Sequence, residues 1–308
     1  MKNVLGLLCI GLLLITAGCQ SDKKVATADQ LTVVTTIGMI ADVAQNIGGK
    51  HVVVNGLMGP GVDPHLYRAS AGDVTVLSSA DVIFYNGLHL EAKMGEVLAQ
   101  MGRTRTVVAV AANISKSNLM TPLEFEGVPD PHIWFDLTLW RQIIPVIRDT
   151  YIKVDPKNKV SYTKNAADYL KQLNALHQET IEIVKQVPKS QRVVVTAHDA
   201  FSYFGRQYGF EVVGLQGIST ESEAGTQDVQ RVAELIATRK IPAIFVESSI
   251  PVRHIKAVQR AVQARGWNVA IGGELFSDAM GSPDTKEGTF VGMIRHNVNV
   301  IVTALSGK

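Results

Sequence analysis

The sequence predicts an α/β fold of two lobes with parallel sheets, joined by one long rigid helix. Short, nearly continuous apolar strands alternate with helical patterns from Leu31 to Val110, which is typical of a parallel sheet covered on both faces. The same alternation resumes after Pro188 and continues to the end of the chain. Between the two stretches lies a helical pattern of about thirty residues, roughly 45–50 Å long and longer than one small domain needs.

Four strands and two helices are predicted in the first half of the chain. Runs rich in Val, Ile and Thr mark the strands, and apolar residues at helical spacing mark the helices. Gly48 and Gly49 are a stop signal for the first helix. The strands are predicted at Leu31–Thr36, His51–Leu57, Asp81–Tyr85 and Thr106–Val110, and the helices at Ile40–Ile47 and Ser70–Ser79.

The long helix is predicted from its ends and its spacing. Asp155 suits the N-cap, Pro156 suits the first helical position, and Pro188 stops the pattern. No Pro or Gly lies between Lys157 and Val187, so a bend within the helix has no local cause. The apolar residues that recur at helical spacing are Val160, Ala167, Leu170, Leu173, Leu176, Ile181 and Val184.

The second half repeats the pattern of the first. We therefore divide the chain into an N-terminal lobe (31–154), a linking helix (155–188) and a C-terminal lobe (189–308). The strands are predicted at Arg192–Ala197, Phe210–Leu215, Ala243–Glu247 and Asn268–Ile271, and the helices at Gln227–Arg239, Ile255–Arg265 and Gly288–Leu305.

The first nineteen residues have the pattern of a bacterial export signal. A basic start is followed by an apolar run from Val4 to Ile15, too short to span a bilayer, and by the small residues 16–18 before Cys19. This end resembles a lipobox, although Thr16 stands where Leu is usual. We expect cleavage of residues 1–18, a lipid on Cys19 and a tether over 19–30, with the protein exported and anchored to the membrane. The alternative is a cleaved secretory peptide with an incidental cysteine.

Composition excludes several classes of protein. The 308 residues are 46% hydrophobic and 19% charged, which fits a packed globular protein. A formal net charge of +2 without a basic run argues against a nucleic-acid binder. After the export signal no stretch is apolar and long enough to span a membrane.

Two copies of one tripeptide are candidate ligand loops. Asp63-Pro64-His65 and Asp130-Pro131-His132 each hold a histidine after a proline, which fixes its own φ and restricts the residue before it. A preorganised imidazole loses less freedom when it binds a metal ion. One Asp-Pro is a common turn, but the repetition favours a ligand role for His65 and His132.

Two further candidates follow strands of the second half. His198 comes directly after the strand that ends at Ala197, and Asp278 lies in the loop after the last predicted strand. Because open α/β sheets bind ligands outside the carboxyl ends of their strands, all four candidates are expected in one cleft, two from each lobe. Alone, His198 could be a satisfied core histidine and Asp278 a helix cap.

Several motifs together carry a family resemblance over residues 31–308. The two Asp-Pro-His loops and the stretches 196–201, 218–223 and 272–278 resemble the cluster A-I metal-binding lipoproteins of ABC importers, especially the TroA-like zinc and manganese members. The resemblance implies two (β/α)₄ lobes, a rigid linking helix, capture of a metal ion as cargo and delivery to a membrane permease and its ATPase. It also implies the metal ligands His65, His132, His198 and Asp278. We expect a monomer.

Metal identity is left open between Zn²⁺ and Mn²⁺. Three imidazoles and one carboxylate suit Zn²⁺, whereas Mn²⁺ prefers carboxylate oxygens. Many manganese-selective relatives have Glu where this chain has His198, and zinc-dedicated relatives usually have a His-rich loop, which is missing from 115–130. The residues Glu247, Asn86 and Asp199 could orient the imidazoles, but each suits a cap or loop hydrogen bond equally well.

The sequence also bears on three alternative functions. A zinc-dependent hydrolase needs an open coordination position, and neither a His-Glu-x-x-His nor a Gly-x-Ser-x-Gly motif is present. A siderophore or corrinoid binder needs an aromatic-rich pocket, whereas aromatic residues make up 6% of this chain. A surface adhesin on the same scaffold is compatible with a lipoprotein. We predict that the protein is not an enzyme.

Motion is expected to be small and confined to the ligand loops. A helix without Pro or Gly bends little, so the lobes should not hinge widely. Among the ligands, Asp278 is the predicted mobile one, because Gly272, Gly273 and Gly281 flank its loop and could act as pivots.

Overall fold

The first half of the chain forms one parallel sheet with helices between its strands. The structure, a computed structural model, describes residues 26–122, 125 and 127–307. The strands pair in the order β2-β1-β3-β4, and all three pairings are parallel. The elements are β1 Leu31–Thr35, α1 Gly38–Gly48, β2 Val52–Gly56, α2 Ala71–Ser78, β3 Val82–Tyr85, α3 Gly95–Met101 and β4 Thr106–Ala109.

Three helices connect the two halves. The sequence prediction missed the short helices α3 and α4 (Leu137–Trp140) and the twelve-residue helix α5 (Ile143–Val154). The long helix α6 (Lys159–Val184) follows a 3₁₀ turn at Pro156–Asn158, so it is 26 residues long and spans about 39 Å. Asp155 does not cap it, because its carboxylate accepts hydrogen bonds from Asn158 and from the hydroxyl of Tyr162.

The second half contains four parallel strands in two pairs. β5 pairs with β6 and β7 pairs with β8, while β5 and β7 lie beside each other. The α/β class with parallel sheets and a long helix is thus confirmed. The elements are β5 Val193–His198, α7 Ser202–Tyr208, β6 Glu211–Gln216, α8 Thr226–Arg239, β7 Ala243–Glu247, α9 Arg253–Gln263, β8 Ala270–Leu275 and α10 Phe290–Leu305.

The last strand differs from its prediction. β8 runs through Gly272 and Gly273 to Leu275, whereas the sequence suggested that it ends at Ile271. Both glycines serve close packing inside the strand. A Cβ at Gly273, whose φ is +142°, would lie 2.7 Å from Val300 on α10, and one at Gly272 would lie 2.6 Å from Ala304. These glycines therefore lie in a closely packed strand and not in the predicted loop.

One hydrophobic core runs through both halves. It includes Val34 of β1, Leu173 of α6, Phe201 directly before α7, and Met293 of α10, all of which are buried. The helix α6 packs on α1, α5 and α10, so it is built into this core along one face. A second core lies between the strands β5–β8 and the helices α8 and α9. Because the larger core contains residues of both halves, the two halves pack against each other and stabilise each other.

None of the helices within the described ranges combines the length and the hydropathy that a membrane crossing requires. The predicted signal peptide, the lipidated Cys19 and most of the predicted tether lie outside the described residues.

Candidate metal centre

The structure brings all four predicted ligand residues together at the carboxyl ends of strands. His65 follows β2, His132 follows β4, His198 is the last residue of β5, and Asp278 follows β8. One ligand atom from each of the four lies within 4.8 Å of the others. All four residues are buried, and His65, at 3% exposure, is the most exposed.

The distances within the cluster fit a single small cation. Nε2 of His132 lies 3.4 Å from Nε2 of His65 and 3.3 Å from Oδ1 of Asp278. Oδ2 of Asp278 lies 3.1 Å from Nε2 of His198 and 3.6 Å from Nε2 of His65. Ligands about 2.1 Å from a tetrahedral Zn²⁺ would lie about 3.4 Å apart. The cluster therefore has the spacing of a coordination shell.

Asp278 lacks conventional partners despite complete burial. Neither of its carboxylate oxygens accepts a hydrogen bond of good geometry within the described structure, although three imidazoles face them. A buried carboxylate costs several kcal/mol unless positive charge compensates it, either on the surrounding imidazoles or on a bound cation. The three imidazoles and the carboxylate of this cluster therefore suit a bound metal ion.

Carboxylates hold two of the imidazoles from behind. Oδ1 of Asp130 lies 2.7 Å from Nδ1 of His132, and Oε2 of Glu247 lies 2.6 Å from Nδ1 of His198. Such partners fix the tautomer and turn Nε2 toward the metal position. Of the three orienting candidates, Glu247 has this position. Asn86 instead donates to the carbonyl of Pro131, at 3.1 Å.

Asp199, the third candidate, has a local role. Its carboxylate accepts a hydrogen bond from the hydroxyl of Ser202 at 2.6 Å, at the start of α7. Sequence reasoning also missed Trp134, whose indole N–H donates to the carbonyl of Ser277 at 3.0 Å and thereby fixes the backbone beside Asp278. No motif predicts this contact, because the two residues are far apart in the sequence.

The electrostatics of the cluster favour positive charge. Burial alone would lower the pKa of His132, but the carboxylates of Asp130 and Asp278 outweigh it and raise that pKa to about 9. Burial would likewise raise the pKa of Asp278, yet His198 and His132 hold it well below its usual range. Burial lowers the pKa of His65 to about 3, against the opposing pull of Asp278. The same carboxylates that retain protons on imidazoles would stabilise a divalent cation.

Three other histidines have partners outside this cluster. His177 on α6 is half-buried against the hydroxyl of Tyr208, and His296 on α10 lies 2.9 Å from the carbonyl of Glu274. His51 packs edge-on against Tyr162. These three imidazoles have packing or local hydrogen-bonding roles.

A parallel α/β fold with a buried cluster of three imidazoles and one carboxylate defines a metal-binding protein of the substrate-binding class that serves ABC importers. The sequence profile described as "ZnuA: Zinc-uptake complex component A periplasmic" matches residues 33–304. The chain belongs to this family, which confirms the predicted resemblance. Its members are components of metal uptake and not enzymes.

Known relatives cover almost the whole chain. It is 50% identical over 299 residues to "Zinc-binding protein TroA" of Treponema pallidum, which covers 97% of this chain and 96% of the relative. It is 48% identical over 289 residues to "Manganese-binding lipoprotein MntA" of Bacillus subtilis, covering 94% of each chain. The solved structure of the periplasmic zinc-binding protein TroA from Treponema pallidum superposes with a TM-score of 0.88 at 52% identity, covering 90% of this chain and 99% of that one.

Proposed function

We propose that the protein captures a divalent transition-metal ion, zinc or manganese, and delivers it to the permease of an ABC importer with its ATPase. The observation that carries this proposal is the buried cluster of His65, His132, His198 and Asp278, whose atoms are spaced for one cation. The metal ion is cargo. Membership of a family named for zinc uptake supports the transport role.

The donor set is compatible with both metals named among the relatives. Three imidazole nitrogens and one carboxylate oxygen would complete a zinc tetrahedron. Both oxygens of Asp278 face imidazoles, Oδ1 toward His132 and Oδ2 toward His198, so a bidentate carboxylate could raise the coordination number for Mn²⁺. Because zinc binds such sites more tightly than manganese, metal supply and geometry would decide the physiological cargo.

A zinc-dependent hydrolase is a weaker hypothesis than a component of a metal importer. Catalytic zinc keeps three protein ligands and an open position for water, whereas four donors converge here at tetrahedral spacing. An adhesin built on the same scaffold would not compete with metal capture, but no described surface feature favours it.

The mature protein is proposed to be exported and held at the membrane by a lipid on Cys19. The resemblance of residues 1–19 to a lipoprotein signal supports this anchor, and the Bacillus relative is named a lipoprotein. Residues 31–154 and 189–308 are proposed to act as two lobes of a monomer, joined by 155–188. The metal ion would sit where the strand ends of the two lobes meet.

Metal analysis of natively purified protein tests this function. The expected result is one zinc or manganese ion per chain, because the described residues contain one such cluster. Titration of metal-free protein with each metal would then give the affinities. Protein that emerges metal-free and binds neither ion in the titration would overturn the proposal.

A further inference from the structure

The two Asp-Pro-His copies use their aspartates differently. In both, Oδ1 of the aspartate accepts a hydrogen bond from the backbone N–H of the histidine two residues later, at 2.9 Å. In the second copy, Oδ1 of Asp130 also lies 2.7 Å from the ring of His132. In the first copy, Oδ2 of Asp63 instead accepts a 2.6 Å hydrogen bond from the hydroxyl of Thr220, 157 residues away.

This difference leaves the ring of His65 as the least supported of the three imidazoles. Carboxylates lie behind His132 and His198, whereas within the described residues no hydrogen bond reaches Nδ1 of His65. What fixes His65 is its backbone, through Asp63, and Asp63 is held by Thr220 from the opposite half. Two hydrogen bonds to Asp63 thus connect the backbone of His65 to Thr220 across the cleft.

The segment that carries Thr220 also lines a cavity beside His65. A cavity of about 260 Å³ is lined by His65 together with Leu88, Pro131, Ile218 and Glu221. Next to Thr220, the carboxylate of Glu221 pairs with Lys93 of the first half at 3.1 Å. Thr220 and Glu221, which are neighbours in segment 217–222, therefore both contact the first half beside the cavity. The contact made by Thr220 is buried, since Thr220 is only 6% exposed, and it is the one that reaches Asp63 in the loop of His65.

We propose that Thr220 is a positioning residue that couples the placement of segment 217–222 to the hold of His65 on the metal ion. When Thr220 donates to Asp63, the backbone of His65 is fixed and the site is complete. When segment 217–222 moves away, Asp63 loses its partner and His65 becomes the first ligand free to leave, at the side where the cavity opens. The inference deepens the proposed function and rests on it for the metal, but the backbone coupling stands without a metal.

The test compares Thr220→Val, which keeps the shape and removes the donor, with Thr220→Ser, which keeps the donor. Amide hydrogen exchange in metal-free protein is the first readout. Thr220→Val should speed exchange of the His65 amide about tenfold, as expected for a lost hydrogen bond to a carboxylate. The His132 amide, which donates to Asp130 in the same motif, is the internal control and should not change. Thr220→Ser should behave as the wild type.

Metal release into excess chelator is the second readout. Thr220→Val should raise the dissociation rate of Zn²⁺ about tenfold, while Thr163→Val on the exposed face of α6 should leave it unchanged. Equal His65 exchange in wild type and Thr220→Val would overturn the coupling. Faster exchange in a protein that binds no metal would instead overturn the proposed function and leave the coupling in place. Faster exchange with an unchanged release rate would show that His65 does not control release, and would overturn the proposal in that respect.

Discussion

Glu247 contacts His198 through both of its carboxylate oxygens. Oε1 accepts a hydrogen bond from the backbone N–H at 2.9 Å, and Oε2 lies 2.6 Å from the ring Nδ1. Both residues are buried, at the ends of β7 and β5. Glu247 thus faces Nδ1 of the ring, and Nε2 on the other side of the ring faces Asp278, 3.1 Å away. One carboxylate therefore contacts both the backbone and the ring of a candidate metal ligand.

Replacing Glu247 by Gln should weaken metal binding without unfolding the protein. The amide keeps one oxygen for the backbone N–H but loses the charge that makes the imidazole more basic. A loss of about ten- to a hundredfold in affinity is expected for such a partner. Isothermal titration with Zn²⁺ measures it, with the exposed Glu274→Gln on the neighbouring strand as control. Unchanged affinity in Glu247→Gln would mean that His198 needs no partner.

Removing the metal should lower thermal stability. Bound metal at a thousandfold excess over Kd adds about 4 kcal/mol to the free energy of unfolding by mass action. Chelation should therefore lower the Tm, and Zn²⁺ or Mn²⁺ should restore it. In His132→Ala the shift should vanish, whereas His254→Ala, outside the cluster, should keep it. Identical melting curves with and without chelator would contradict metal binding.

The sequence was sufficient for the candidate ligands because each has a local signature. Two prolines restrict the loops before His65 and His132, and strand ends mark His198 and Asp278. Strand periodicity likewise located seven of the eight strands within about two residues, the usual uncertainty of element ends. Local patterns could therefore predict both the sheet edges and the residues that follow them.

The contacts that support the ligands could not be predicted, because they join distant segments. Thr220 meets Asp63, and Trp134 meets the carbonyl of Ser277, only after the two halves pack together. For the glycines before Asp278, in contrast, the sequence predicted a feature that the structure does not have. Their sequence suggested a flexible loop, but Gly273 is fixed by the approach of α10. Glycine permits both flexibility and close packing, and only the fold decides between them.

Glu91→Gln should destabilise the protein through the loop that follows β3. The buried carboxylate of Glu91 accepts hydrogen bonds from the hydroxyl of Thr36 and from the backbone N–H groups of Asn86 and Gly87. It thereby holds a loop in which three consecutive residues, 87–89, have positive φ. Gln would direct an N–H₂ group at one of these donors, at a cost of about 1–3 kcal/mol. Urea unfolding measures it against the exposed Glu96→Gln; equal midpoints would contradict this role.

Cys19→Ser should release the protein from membranes and leave its fold intact. A single acyl chain gives only marginal binding, so stable anchoring through a lipoprotein cysteine requires more than one chain on that residue. Fractionation of cells that express either form, followed by circular dichroism of the released variant, checks both statements. Wild-type protein recovered entirely in the soluble fraction would contradict the lipid anchor.

Metal binding should change the angle between the halves very little. The helix α6 has neither Pro nor Gly, so it cannot act as an open hinge. The larger hydrophobic core also continues from the first half into α10, and wide opening would expose it to water. Motion should therefore be confined to short segments such as 217–222.

Pairs of spin labels can measure this closure. Labels at the exposed positions Arg103 and Lys256 report the separation of the two halves, in mature protein carrying Cys19→Ser so that no other thiol reacts. The mean distance between them should differ by only a few ångströms between chelated and Zn²⁺-saturated protein. A second pair, with one label at Ser222, should narrow its distance distribution when metal is added, because the segment that holds Asp63 becomes ordered. A large change in the first pair would show that the lobes rotate as bodies, and the shared core would then have to part during each transport cycle.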